Sequence, residues 1–315
     1  MLLNCLKKQL KKIMVMKKNS IYNRFLPPVF ILCLLLVSCT ESVAPVYQGP
    51  DIQILGQAYY EDLESEFQRY SYQLDALDRG VPPLILQSLP ENLNEIRSSK
   101  KRKRIFFKAL LPMILLANDE IQYERQQLLK IQHHIKQQGT LGLSQKHILL
   151  TLAARYEVNF ESTAPEGAIQ KLLNRVDIIP ADLALAQAAN ESAWGTSRFS
   201  RVANNLFGEW TFKQGQGIVP EGRPEGETYE VQKFATVYDS VRSYLHNLNT
   251  HAAYRPLREI RAESRAAGIR PEGLKMAEGL LRYSIRGEEY VKELQAMIRK
   301  NRLDRLASAK LRTRT

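Results

Sequence analysis

The chain has 315 residues, 44% of them hydrophobic, and a formal net charge of +12. That composition excludes a wholly disordered or fibrous chain and leaves room for one large domain or two smaller ones. Lys7, Lys8, Lys11, Lys12, Lys17, Lys18 and Arg24 all stand at the start with no acid among them. Without those seven the remainder carries only about +5, a mildly basic surface that suits anionic lipid or a carboxylate-bearing polymer as well as nucleic acid.

The first predicted element begins at Met16 with MKKNSIYNRFLPPVFILCLLLVSCT. Basic residues precede an apolar run over residues 29–37, which is too short to span a bilayer and fits the core of a secretory signal. Residues 1–15 would make an unusually long basic leader, so Met16 is a natural alternative start. The run ends in Leu36-Val37-Ser38-Cys39, which resembles the lipobox of bacterial lipoproteins. The resemblance implies that residues 1–38 are a signal peptide and that Cys39 is acylated as the new N-terminus. The other cysteines are Cys5 and Cys33, so the mature chain would hold no free thiol, no disulfide and no Cys-based metal site. Several acyl chains on Cys39 would anchor the protein stably to a membrane. In the lipoprotein sorting pattern an Asp after the Cys retains a protein at the inner membrane. Thr40 stands there instead, so the expected location is the cell envelope, on the periplasmic face of the outer membrane. Nucleic acid is not an expected partner there.

Residues 39–58 are small, polar and Pro-containing, and read as a flexible tether. Residues 59–158 read as a helical accessory region. Within it YYEDLESEFQRYSYQLDAL has helical period and is expected to end near Gly80. VPPLILQSLPENL, with Pro82, Pro83 and Pro90, reads as an extended connector laid on a surface. Residues 98–139 read as a helical hairpin or a long helix broken or started at Pro112. LSQKHILLTLAARYEV reads as a further helix with Ser144 as its N-cap. The basic run at residues 100–104 is the solvated start of a helix. His133 and His134 are adjacent and so point to different sides of a helix, and His147 is alone. No metal and no organic cofactor is expected.

From Pro180 the texture changes. PADLALAQAANESAWG reads as a helix with Pro near its start, Asp182 in its first turn and small residues on more than one face, so it is expected to be buried among other helices. Gly195 can end it. Residues 211–234 are rich in Gly, Pro and β-formers and read as a loop and a short β-hairpin in which Tyr229, Val231 and Phe234 alternate. Helical patterns resume at Asp239 and run to Leu306, and residues 307–315 read as a basic, frayed tail. The fold class is mainly α, an α+β arrangement with a helical lobe and a small β-hairpin lobe over residues 159–306, preceded by an N-terminal helical region.

Glu191 ends the apolar helix. Desolvation there penalises the anion and raises the carboxyl pKa. A carboxyl held neutral near neutral pH can protonate a leaving oxygen, the main requirement of glycoside hydrolysis. A helix-end Glu can equally be a solvated surface group. The stretch AQAANESAWGTSRFSRVANNLFGEW weighs for chemistry, because it resembles the motif of glucosaminidase-domain proteins related to glycoside hydrolase family 73. That motif is a helix ending in Glu-Ser-x-Trp-Gly-x-Ser, followed by Asn-Asn-Leu-Phe-Gly. Here it is Glu191, Ser192, Trp194, Gly195 and Ser197, then Asn204, Asn205, Leu206, Phe207 and Gly208. Residues 240–262 and 279–303, with VPPLILQSLP and FFKALLPMILLANDEI upstream, resemble the Bax subgroup.

The resemblance implies a lysozyme-like fold whose cleft, between the helical and β lobes, holds an aminosugar polymer. It implies an endo-β-N-acetylglucosaminidase acting on peptidoglycan, with Glu191 as general acid. Asn204 and Asn205 would brace the loop beside the acid or touch substrate. Trp194 would pack beneath the helix end and Phe207 would fill the core. Tyr244 and Tyr254 lie on the stretch that faces the acid across the cleft, and residues 282–284 precede Gly287 in an expected rim turn. The second carboxylate is expected from PEGETYEV, with Glu227 and Glu230 ahead of Glu225; attack by the substrate's own N-acetyl group and an inverting route through a loop-borne base are equally open. The alternatives are a non-catalytic wall-binding lipoprotein and a lytic transglycosylase; an amidase has neither thiol nor metal ligands to support it. Unrestrained wall cleavage would be lethal, so a regulator is an expected partner, though no residue identifies one.

Overall fold

The computed structural model describes residues 47–56, 59–160 and 164–313. Cys39 and the expected signal peptide lie outside the described residues. Among the described residues no helix is long and apolar enough to cross a membrane.

The fold is mainly α with a small β component. In chain order it runs β1 (Gln53–Leu55), α1 (Tyr60–Arg69), β2 (Leu84–Leu86), α2 (Ser99–Gln138), α3 (Leu143–Arg155), α4 (Pro165–Arg175), α5 (Ala181–Glu191) and α6 (Arg198–Val202). Then come β3 (Trp210–Thr211), β4 (Gly217–Ile218), β5 (Glu230–Gln232), α7 (Val237–Thr250), α8 (Arg255–Ala266), α9 (Gly273–Met276) and α10 (Glu288–Lys300).

Helix α5 is the axis of the fold. Every residue from Ala181 to Ala189 is buried, and the helix packs against α2, α9, α10 and the 3₁₀ turn Leu303–Leu306. Alanines at 184, 186, 188 and 189 allow this, because small side chains let neighbours close in on more than one face. Helix α2 crosses the same core. It is a single helix of 40 residues, capped by the Ser98 hydroxyl at its start and by left-handed Gly139 at its end. Pro112 lies inside it and does not divide it. Proline removes one backbone hydrogen bond and costs about 3 kcal/mol in a helix interior. Leu110, Leu111, Met113 and Ile114 around it are each fully buried, and each contributes about 1.5–3 kcal/mol. Packing therefore overrides the local break.

Four further sequence expectations are corrected. Helix α1 stops at Arg69, well short of Gly80. The extended connector contains β2, buried along its length and paired in parallel with β1, so the expected flexible tether includes a strand from Gln53 to Leu55. Helix α3 starts two residues earlier than the Ser144 cap implied, with Gly142 as N-cap. The tail does not fray through residue 312: Leu311 bridges Val81, and the Arg312 guanidinium donates to the carbonyls of Tyr70 (2.6 Å) and Gly80 (3.0 Å). Residues 59–158 and 159–306 accordingly share one core, and both lie within one compact unit.

A polar knot fixes the loop before α5. Arg261 is fully buried and donates to the carbonyls of Asn174, Asp177 and Ile178 and to Asn249 Oδ1. Burial opposes the charge on Asp177, but Arg265, Arg261 and Arg125 more than offset it and hold the carboxyl below its usual range. The β region is a three-stranded antiparallel sheet rather than a hairpin, in the order β3-β5-β4, with the last strand in the centre.

Candidate active site

Glu191 is the last residue of α5, and the chain then turns sharply. Ala193, Trp194 and Gly195 all have positive φ, at 50°, 62° and 79°. The Trp194 N–H reaches back to the Ala189 carbonyl at 3.0 Å, and Ser192 Oγ donates to the Ala188 carbonyl while accepting the Gly195 N–H. These bonds satisfy the helix end that would otherwise be left open. A Cβ on Gly195 would come within 2.6 Å of Leu89 Cδ1, so glycine is required there both for its backbone and for space. Trp194 packs edge-on against Phe106 and Phe107, with Lys103 Nζ over its ring at 4.4 Å.

The Glu191 carboxyl is partly buried. Burial raises its pKa, against the lowering effects of hydrogen bonds from Tyr290 and Asn190 and of the charge of Arg286. The Tyr290 hydroxyl donates to Glu191 Oε1 at 2.8 Å. Behind it lies a buried relay: Tyr244 Oη donates to Gln187 Oε1 at 2.6 Å, and Gln187 Nε2 donates to Tyr290 Oη at 3.1 Å. Gln187 stands one helical turn before Glu191 on the same face.

A cleft of about 380 Å³ lies alongside, lined by Phe207, Gly208, Glu209, Ser243, Tyr254 and Tyr283 among others. Glu191 is not itself among the lining residues; it lies against Gly208, where a Cβ would be 3.9 Å from Glu191 Oε2. Gly208 has φ +68°, a conformation that suits glycine. Glu209 follows directly. Its Oε2 accepts the Ser243 hydroxyl at 2.9 Å, while its Oε1 is buried with no hydrogen-bond partner among the described residues. Burial pushes the carboxyl up to about 7, with Ser243 opposing.

The predicted site residues separate into those at the cleft and those away from it. Tyr254 lines the cleft, and burial raises its hydroxyl to about 12. Its ring leads to Tyr283 at 5.7 Å, which stacks on Tyr290 at 5.5 Å. Tyr283, in the expected rim turn, donates to the Phe207 carbonyl at 2.9 Å. Tyr244 is 0% exposed and stacks on Phe207 at 3.8 Å, so it reaches Glu191 through Gln187 and Tyr290 rather than facing the cleft. Asn204 and Asn205 direct their amides to backbone. Asn204, at φ 52°, donates to the carbonyls of Phe234 and Ala235, and its Oδ1 is buried without a partner among the described residues. Asn205 accepts the Glu209 N–H at 3.0 Å and donates to the carbonyls of Glu209 (2.8 Å) and Gln232 (2.9 Å).

Glu230 holds the N–H groups of Gly215 (2.9 Å) and Gly217 (2.8 Å), which lower its pKa. It anchors the turn before β4 and does not line the cleft. Glu225 and Glu227 are exposed and do not line it either. The residues missed from sequence are Gln187, Glu209, Ser243 and Tyr290. The helical spacing of Gln187 to Glu191 and the place of Glu209 next to the Asn-Asn-Leu-Phe-Gly motif were the available signals. Tyr290, 99 residues from the acid, carried none.

Residues 166–303 match the Glucosaminidase family, described as mannosyl-glycoprotein endo-beta-N-acetylglucosaminidase. The chain is 36% identical over 214 residues to protein Bax of Escherichia coli (strain K12), covering 68% of this chain and 74% of that protein. No solved structure matches significantly. With identity of that extent, and with the family match over residues 166–303, the chain belongs to the Bax-type glucosaminidase-domain family.

Proposed function

We propose that the protein is a peptidoglycan hydrolase that cleaves the β-1,4 bond after N-acetylglucosamine, with Glu191 as general acid. The observation that carries this reading is the Glu191 carboxyl, biased toward its protonated form by burial and set beside the Gly208 wall of a cleft. A neutral carboxyl so placed gives its proton to the glycosidic oxygen as the bond to the anomeric carbon breaks. Tyr290 fixes Oε1, which leaves Oε2, on the Gly208 side, to face the sugar. Tyr254 presents its hydroxyl in the cleft, and Trp210 at the rim is 53% exposed and sits edge-on to Tyr229 at 4.8 Å. An exposed ring at a cleft mouth suits stacking on a sugar face.

The envelope location belongs to the same proposal. Cys39 would carry the lipid that holds the enzyme at its polymer and raises its effective concentration there. Labelled palmitate should enter the wild type and not Cys39→Ser, and the labelled protein should fractionate with outer membrane.

Digestion of purified murein sacculi with mass analysis of the fragments tests the activity. Wild type should release fragments with reducing N-acetylglucosamine ends, and Glu191→Gln should release none. A 1,6-anhydro muramyl end would mean a transglycosylase instead. Binding of sacculi without release by either protein would mean a wall-binding protein without this activity.

A further inference from the structure

The β region holds the carboxyls that the sequence singles out as the second group of the reaction, yet none of Glu225, Glu227 and Glu230 lines the cleft. Glu209 does. It sits at the root of that region, one residue before β3. Its backbone is clamped on both sides by Asn205, which takes its N–H and gives to its carbonyl. Its side chain is equally placed, with Oε2 held by Ser243 Oγ at 2.9 Å. Oε1 is left buried and unpartnered among the described residues. A buried carboxyl oxygen without a partner is costly to maintain, and strain, a bound water or a catalytic role can account for one. No cation among the described residues is paired with it: the groups acting on it are burial and Ser243 alone. Gly208 links the two carboxyls: it lines the same cleft, a Cβ on it would lie 3.9 Å from Glu191 Oε2, and Glu209 is the next residue.

We propose that Glu209 is the second catalytic carboxyl, the general base that takes a proton from the water attacking the anomeric carbon. The proposal rests on the reading of Glu191 as the general acid. A held water needs two to four polar partners, and Glu209, Ser243, Asn247 and Tyr254 line the same cleft. In the step, the water oxygen bonds to the anomeric carbon and its proton passes to Glu209. The bond from that carbon to the leaving oxygen breaks, the electron pair stays on the oxygen, and Glu191 protonates it. One water is consumed, the new hemiacetal has the inverted configuration, and the proton on Glu209 returns to Glu191 through solvent.

The test uses the full chain and soluble glycan strands prepared from murein. Glu209→Gln should lower kcat by about 10²- to 10⁴-fold with KM nearly unchanged. Nuclear magnetic resonance of the first product should show the α-anomer. Sodium azide should restore turnover to Glu209→Ala and yield an α-glycosyl azide, a result that an unfolded variant cannot give. Failure of azide to restore turnover overturns the proposal, as does a β-anomer formed first. If Glu209→Gln keeps nearly full activity while Glu191→Gln is inactive, Glu209 is not the base and the acid reading stands. Loss on Glu227→Gln but not on Glu209→Gln assigns the base to Glu227 and overturns the proposal. A wild type that releases nothing overturns both readings together.

Discussion

The burial of Glu209 should make the stability of the protein depend on pH in a way that a single amide substitution removes. The carboxyl has its ordinary value of 4.5 when unfolded and is pushed up to about 7 when folded. Below about 4.5 both states are protonated and the group costs nothing extra. Between about 4.5 and about 7 only the unfolded state ionises, so stability falls steadily as pH rises. Above about 7 the folded state must ionise a buried carboxyl as well, and the loss is complete. A tenfold difference in acidity between the two states corresponds to about 1.4 kcal/mol, so the loss approaches about 3 kcal/mol well above neutrality. Glu209→Gln keeps the shape and cannot ionise. Urea midpoints of both proteins at pH 5 and pH 8.5 measure the difference. The stability of the variant relative to the wild type should grow by roughly 2–3 kcal/mol from pH 5 to pH 8.5. A gap that stays constant across that range, or that moves in favour of the wild type at high pH, would refute the assignment of Glu209 as a buried, unpaired acid.

Three further outcomes follow from the geometry. Tyr290→Phe removes a hydrogen bond that favours the ionised form of Glu191, so the alkaline limb of kcat/KM should move to higher pH, read from a pH–rate profile on soluble glycan. Trp210→Ala should raise KM about three- to tenfold with kcat little changed, if the exposed ring stacks on a sugar. Gly195→Ala forces a Cβ into Leu89 and a side-chain-bearing residue into φ +79°, and should cost at least about 2 kcal/mol by urea denaturation.

The legible parts of the fold were those written in local chemistry. Helix α5 could be read from its alanines and from the proline before it. The partial burial of the Glu191 carboxyl could be read because an apolar helix ends on it, whereas the acid role proposed for it came from the resemblance of the surrounding motif. The turn at Gly195 could be read from residue type. What escaped reading depends on partners far away in the chain. Pro112 looked like a break because its helical cost is local, while the burial that outweighs it is supplied by other segments. Tyr244 looked available by its position on a helix, but the stacking of Phe207 and the amide of Gln187 enclose it. Glu230 looked like a free carboxylate until the loop before β4 supplied two N–H groups. Glu209 was in plain view, but a burial that comes from β5, Ser243 and Asn205 is not inscribed in its neighbours.

The bridge between Val81 and Leu311 sets an order on folding. Arg312 and Tyr70 are 242 residues apart, and Arg305 and Asp75 are 230 apart. Contacts at such separation come late, since their ordering entropy must be met before they return anything. The backbone groups of Val81 and the carbonyls of Tyr70 and Gly80 therefore lack these partners until the C-terminal residues have been synthesised. A chain cut short by stalled translation, or lengthened by a bulky fusion just past residue 312, would leave those groups exposed and open to pairing with another copy.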